Sequence, residues 1–395
     1  MYIRTLGFVA MGCFLLQGCV KPTQVRVQPA KKQVLSMGPM VFVAKKGKVV
    51  HIEHYNDEQL FDKGGQAYRA GKFAEAKKYY MRLVTYKPKS EYIADGLYNL
   101  GLSLEKLNEF ELAVDIYKKL LTHKLDKKTK TDTEFRLGGA LIATKQWKKA
   151  EVLYTKLRTY KALVTSDRIE VMSRLGVALQ EQEKHNQALL LFHDAVRLYR
   201  RASKKEFLGK DYFTAMAHFR IGHYFEQKFR KRKFRKKISQ MRGDLQTKAQ
   251  DLLTAQAHYM RSMRVGNSHY LVASLYRVGG MYQQMYKDMV NAPLPNLSKE
   301  ENNMYQCMLK KRIRILLTKA VYAYERNIQT AQVLGVQDSD WVRKTREQLV
   351  QLRQRIVQDY YSESSAACNE TKPKKPETSN AKVTSPAPTN KKRSS

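Results

Sequence analysis

The stretch GKFAEAKKYYMRL, Gly71 to Leu83, decides the fold, because its pattern returns three times further along the chain. NEFELAVDIYKKL (Asn108 to Leu120), KQWKKAEVLYTKL (Lys145 to Leu157) and EKHNQALLLFHDA (Glu183 to Ala195) align with it without a gap. Each holds an alanine, an aromatic four residues on, and Leu or Ala three further: Ala76/Tyr80/Leu83, Ala113/Tyr117/Leu120, Ala150/Tyr154/Leu157 and Ala188/Phe192/Ala195. Successive units are 37, 37 and 38 residues apart, and twelve residues before each alanine stands a glycine: Gly64, Gly101, Gly138 and Gly176. Steps of three and four residues share one helical face, so a fixed period of such segments predicts stacked helix pairs.

This pattern resembles the tetratricopeptide (TPR) repeat, a helix-turn-helix of nominally 34 residues carrying small-Ala-x3-aromatic-x2-small. The resemblance implies an all-α solenoid. The glycine of the first helix and the alanine of the second let the two approach closely, and the aromatic is expected to fill the gap to the next repeat. The pattern continues more loosely. IGHYF (Ile221 to Phe225) ends a fifth first helix, and LLTAQAHYMRS (Leu252 to Ser262) supplies Ala255/Tyr259/Ser262. VGGMY (Val278 to Tyr282) belongs to a sixth unit, and LLTKAVYAYERN (Leu316 to Asn327) supplies Ala320/Tyr324/Asn327. About six repeats are thus expected over residues 57–358, with insertions at 228–248 and 291–301 and a capping helix near Trp341 to Gln358. Before them, residues 19–56 read as a basic linker with one weak hairpin at Met40 to Val43 and Val49 to Ile52. After them, residues 359–395 read as a disordered tail, since Ser362 to Ser395 contains no aromatic, leucine or isoleucine.

The first nineteen residues, MYIRTLGFVAMGCFLLQGC, carry a cationic start at Arg4 and an apolar stretch, Phe8 to Leu16, too short to span a bilayer. Residues 1–18 therefore read as an export signal. Leu16-Gln17-Gly18-Cys19 resembles the lipobox of bacterial lipoproteins, with Gln17 a departure from the usual small residue. The resemblance implies that Cys19 becomes the first mature residue and carries covalent palmitate-type lipid, with no other cofactor or metal expected. Two or more acyl chains hold a protein stably at a membrane. Val20, where an aspartate would favour the inner membrane in that family, implies the periplasmic face of the outer membrane. With Cys13 and Cys19 so assigned, Cys307 and Cys368 remain; a disulfide between them is open, and two unpaired thiols is the preferred reading.

No nucleophile elbow, HExxH pair or phosphate-binding glycine loop occurs. His218 and His223, five apart on one helix, diverge. The chain is therefore read as a non-enzyme. In the TPR family the position three residues before the glycine faces the partner groove; here it holds Phe61, Tyr98, Phe135, Ser173, Phe219 and Tyr276. Those five aromatics form a candidate ladder for a peptide or helix, balanced against the reading that they pack on neighbouring helices.

The charge adds a second candidate. Lys and Arg number 73 against 36 Asp and Glu, leaving +37, and such a surface attracts polyanions. The excess peaks in KFRKRKFRKK, where Lys228, Arg230, Lys231, Arg232, Lys233, Arg235, Lys236 and Lys237 crowd into ten residues around Phe229 and Phe234. Arg200, Arg201, Lys204 and Lys205 precede the same repeat. Eight cations in ten residues cannot share one helix face, so the run is expected as a loop or helix extension meeting phosphates or carboxylates. Taken together, array and lipobox resemble the TPR lipoproteins of cell-envelope machines, such as those of outer-membrane β-barrel assembly and of gliding motility. That resemblance implies a scaffold with envelope proteins as partners, and anionic lipid or cell-wall polymer for the basic run. The alternative is a soluble basic TPR protein binding nucleic acid or other polyanions.

Overall fold

The structure, a computed structural model, describes residues 41–45, 48–53 and 55–363, except 207, 210 and 294–296. The expected signal, Cys19 and the tail beyond 363 lie outside the described residues. The chain opens with an antiparallel hairpin, β1 (Val41–Lys45) and β2 (Lys48–Glu53), whose register shifts between Val43 and Ala44. Every other described element is a helix. The first four repeats pair α1 (Asp57–Arg69) with α2 (Phe73–Tyr86), α3 (Ile93–Lys106) with α4 (Phe110–Leu120), α5 (Lys127–Ala143) with α6 (Trp147–Arg158) and α7 (Thr165–Gln180) with α8 (His185–Ala202). The fifth pairs α9 (Tyr212–Lys231) with α10 (Ile238–Val265), and the sixth α11 (Ser268–Val290) with α12 (Lys299–Val333). A last helix, α13 (Asp340–Glu363), caps the array and runs past the expected end at residue 358. This is a TPR-type helical solenoid.

Each repeat closes on the same contact. A Cβ placed on Gly64, Gly101, Gly138, Gly176 or Gly279 would stand 2.4 to 2.7 Å from the ring of Tyr80, Tyr117, Tyr154, Phe192 or Tyr324, respectively. The signature aromatic therefore lies against the glycine of its own repeat. This corrects the expectation that it fills the gap to the next one, and the reason is steric: only a residue without Cβ leaves a notch that accepts a ring edge. The signature alanines Ala76, Ala113, Ala150, Ala188, Ala255 and Ala320 are all fully buried beside these rings.

In repeats one to four the turn is also the same. Gly71, Asn108, Lys145 and Glu183, seven residues after the helix glycine, adopt φ of 74°, 59°, 57° and 62°. The next backbone N–H reaches back to the carbonyl five residues earlier, as Lys72 to Ala67 and Glu109 to Leu104 at 2.9 Å, Gln146 to Leu141 at 2.8 Å and Lys184 to Leu179 at 3.0 Å. That is the Schellman closure of a helix end, and a left-handed residue is what permits it.

The last two repeats depart from this. Helices α9 to α12 have 20, 28, 23 and 35 residues, against 11 to 18 in the first eight. The first insertion mostly lengthens its helices, with 228–231 ending α9 and 238–248 opening α10 around a loop at 232–237, and the second, 291–301, is a connection that runs into α12. Even so, Ser262 Oγ donates to the Ala215 carbonyl at 2.8 Å, and Asn327 Nδ2 to the Val272 carbonyl at 3.0 Å. Ser262 and Asn327 are matched signature positions, and their acceptors both stand seven residues before the helix glycine, so the stretched repeats keep the register. The cap buries Val342, Leu349 and Leu352, and Asp359 accepts from Tyr286 Oη at 2.7 Å. Cys307, buried on α12, is disulfide-bonded, which corrects the preferred reading of two unpaired thiols; its partner lies outside the described residues.

Candidate functional surface

The first helices of the repeats meet one another directly: α1 touches α3, α5 touches α7, and α7, α9, α11 and α13 form a continuous series. Successive second helices make no comparable contact. The first helices therefore line the inner, shorter side of the array, and the second helices its outer side.

The expected aromatic ladder is largely consumed by this inner packing. Phe61 and Phe219 are buried, 2% and 8% exposed. Phe61 stacks on Tyr92 and meets Tyr80 edge-on, while Phe219 is enclosed by Tyr259, Tyr270 and Trp341. Tyr98 is 5% exposed, and its hydroxyl donates to Asp132 of the next repeat. Ser173 is fully buried and donates to the Phe213 carbonyl at 3.2 Å. Phe135 and Tyr276 are half-buried, the latter beside Tyr324 and Trp341. These positions join repeats; they do not form an open row of rings, because the first helices pack too closely to leave their shared face free.

What bridges the inner face is a set of ion pairs from repeat to repeat. Arg136 Nη1 lies 3.1 Å from Glu105, Arg220 Nη1 2.6 Å from Glu181 and Arg277 Nη1 3.5 Å from Glu226. Each arginine stands two residues before its helix glycine and meets the preceding repeat; in repeat four the equivalent Arg174 bonds Glu170 of its own helix at 2.8 Å and covers the Phe213 ring. This arginine recurs two residues before the glycine in repeats three to six, a periodicity legible in the sequence and outside the TPR motif. Glu226 is fully buried, the most enclosed carboxylate among the described residues. It accepts from Tyr259 Oη at 2.5 Å and Arg230 Nε at 2.8 Å. Burial alone would raise its pKa, but His223, Arg277, Tyr259 and Arg230 together hold it at about 2.

The basic run splits into two kinds of cation. Lys228, Arg230 and Lys231 extend α9, and residues 232–237 form the loop to α10. Arg230 is held by Glu226, Arg232 lies 3.3 Å from Asp251, and Arg235 makes a two-pronged contact with Asp244 at 2.7 and 2.9 Å. Those three are therefore internal ties. Lys228 lies over the Tyr224 and Phe225 rings, and Lys231, Lys233, Lys236 and Lys237 are exposed. Phe229 is fully buried and anchors the run. Lys248, the last residue of the expected 228–248 insertion, is fully buried: its Nζ donates to the Phe229 and Arg232 carbonyls, both at 2.7 Å, and pairs with Asp288 of α11 at 2.8 Å. A buried ammonium thus pins the loop from below. Arg200, Arg201, Lys204 and Lys205 stand at the opposite edge, since the 20-residue α9 separates them from the run by about 30 Å.

Three histidines from three helices also converge, which no local spacing announces. His258 of α10 lies with its ring centroid 5.9 Å from both His193 of α8 and His218 of α9, and it stacks on Phe225. Burial and the neighbouring Arg261 lower the pKa of His258 to about 4; burial, His258 and Arg261 lower that of His218 to about 3. Both rings are held neutral. Among the described residues no group of three His, Cys, Asp or Glu side chains is placed to hold a metal ion, and no helix is long and apolar enough to cross a membrane.

Against known proteins, tetratricopeptide-repeat family models match residues 95–123, in the second repeat, and 168–207, in the fourth. No curated protein sequence matches the chain. Solved structures similar to it include MamA, residues 41 to the end, from Desulfovibrio magneticus RS-1, at 19% identity over 53% of this chain and 94% of that one, TM-score 0.37. Others are Pseudomonas aeruginosa PilF, at 13% identity over 74% and 97%, TM-score 0.36, and a tetratricopeptide repeat protein from Parabacteroides merdae, at 11% over 73% and 98%, TM-score 0.35. The tetratricopeptide character of the chain rests on the two matched segments and on six glycine-to-aromatic contacts of one kind.

Proposed function

We propose that this protein is a non-enzymatic TPR scaffold, held by lipid on Cys19 at the periplasmic face of the outer membrane, that gathers the proteins of a cell-envelope complex of the motility or outer-membrane-assembly kind. The observation that carries the scaffold reading is the unbroken series of six interlocked helix pairs, the architecture that presents an extended surface to protein partners. The tether rests on the Leu16-Gln17-Gly18-Cys19 sequence and the export-type stretch before it. The polar inner face, with arginine and glutamate joined between repeats, suits partners recognised through charged and polar groups in place of an aromatic ladder.

The tether is tested by fractionating cells that express the natural chain or Cys19→Ser, with a high-salt wash to strip electrostatic adhesion. The natural chain is expected to stay with the membranes, with its N-terminal peptide beginning at an acylated Cys19, and the variant to wash free. A variant that resists the wash, with a mature chain still beginning at Met1, would overturn the tether.

A further inference from the structure

Because the two helices of each repeat are antiparallel, all turns between repeats lie at one edge of the array, opposite the connections within repeats. That edge carries a band of unneutralised cations which the sequence does not reveal as a unit. Around the α4–α5 turn, Lys124, Lys127, Lys128 and Lys130 are exposed, and none of them has a carboxylate partner among the described residues. The nearby Asp126 is occupied as the N-cap of α5, accepting from the Lys128 and Thr129 amides at 2.9 and 3.0 Å. Around the α6–α7 turn Arg158 and Lys161 are exposed. Around the α8–α9 turn Arg200, Arg201, Lys204 and Lys205 are exposed, with Glu206 the acid beside them.

We propose that this inter-repeat edge, from the second repeat to the fifth, is a docking surface for an anionic lipid bilayer, whose headgroup phosphates meet the cations of successive turns together. The cations are mostly lysines on separate turn tips, which suits a surface that needs charge density in a plane more than forked, base-specific contacts. Single-stranded nucleic acid would want exposed rings between the charges. The tyrosines here are half-buried and engaged, Tyr160 with Glu134 at 2.8 Å and Tyr199 with the Gly209 carbonyl at 3.1 Å. The opposite edge is the weaker candidate despite its denser run, because Arg230, Arg232 and Arg235 are tied to Glu226, Asp251 and Asp244. The proposal deepens the tethered reading: lipid would supply the hold, and the basic edge would lay the solenoid against the membrane.

The test uses the full chain carrying Cys19→Ser, so that no acyl chain contributes, in cosedimentation with vesicles of phosphatidylcholine alone or with added phosphatidylglycerol. Salt-sensitive binding to the phosphatidylglycerol vesicles only is expected. Replacing Lys124, Lys127, Lys128 and Lys130 by Gln should weaken it about a hundredfold or more, since each cation at an anionic surface is worth roughly fivefold in affinity. Replacing Lys228, Lys231, Lys233 and Lys236 by Gln removes the same charge from the other edge and should weaken it less than about threefold. Equal losses in the two variants, both shown folded by circular dichroism, would reduce the effect to net charge and overturn the proposal. Binding of duplex nucleic acid or an acidic protein without binding of vesicles would overturn it in favour of that partner. Neither result bears on the Cys19 tether, which is read in cells.

Discussion

Repeats one to four and repeats five to six solve one packing problem with different connections. In the first group, helices have 11 to 18 residues, and the first helix of each pair ends on a left-handed residue and a backbone closure that recurs four times. In the second group, helices of 20 to 35 residues are joined by long connections, and buried charge takes over: Lys248 under one loop, Glu226 between Tyr259, Arg230 and Arg277. The glycine-to-aromatic contact is common to both. The turn is therefore the replaceable part of a repeat and the notch is the fixed part. Steric fit and ion pairs such as Arg136 with Glu105 and Lys156 with Glu134 hold the regular half, while the stretched half depends in addition on Lys248 and Glu226, ionised groups fully buried beneath and between its longer helices.

That contrast can be broken most sharply at Glu226. Its pKa of about 2 against an ordinary 4.5 corresponds to about 3 kcal/mol of stability. The folded pKa is depressed, so this contribution is fully present above pH 4.5 and is lost as pH falls from there through about 2. Glu226→Ala, which leaves Arg230 and Arg277 without their carboxylate, should cost about 3 kcal/mol or more in chemical denaturation at neutral pH, with the loss confined by hydrogen exchange to α9 to α12. An exchange pattern weakened evenly along the array would remove the distinction between the halves.

The notch itself is tested by a matched pair. Gly101→Ala places a Cβ 2.4 Å from the Tyr117 ring and should cost about 2 to 3 kcal/mol; Gly222→Ala finds Tyr259 at 3.1 Å and should cost about 1 kcal/mol less. Urea midpoints for the two variants check this ranking, and the reverse order would contradict it. The smallest effect belongs to the turns. Lys145→Gly relieves a side chain at φ 57° and should be neutral or stabilising by up to about 1 kcal/mol, whereas Lys89→Gly, outside these closures, should not stabilise.

Much of this was legible in the sequence because the solenoid is written in residues whose size matters: the glycine, the alanine and the ring recur at fixed spacing. The stretched repeats are legible too, since Ala255/Tyr259 and Ala320/Tyr324 keep the motif and the insertions lie outside it. The direction of the ring was not legible, because a spacing does not say which neighbour fills a notch. Nor were Lys145 and Glu183 readable as left-handed turns, since neither is a residue that favours that conformation. The burial of Lys248 depends on Asp288 of α11, forty residues on, and His193, His218 and His258 meet only through tertiary packing. The candidate groove changed most: position alone suggested an open row of rings, and the closeness of the first helices turned those rings into joints between repeats.

The central claim, that the array is a scaffold working through its inner face, is tested most directly by photo-crosslinking in intact cells. A crosslinking residue is placed at Gln66 or Lys106, exposed on first helices, or at Val152 or Leu190, exposed on second helices. The account predicts that the inner positions capture a small, reproducible set of envelope proteins and the outer positions do not. Capture only from Val152 and Leu190, with none from the inner helices, would contradict it.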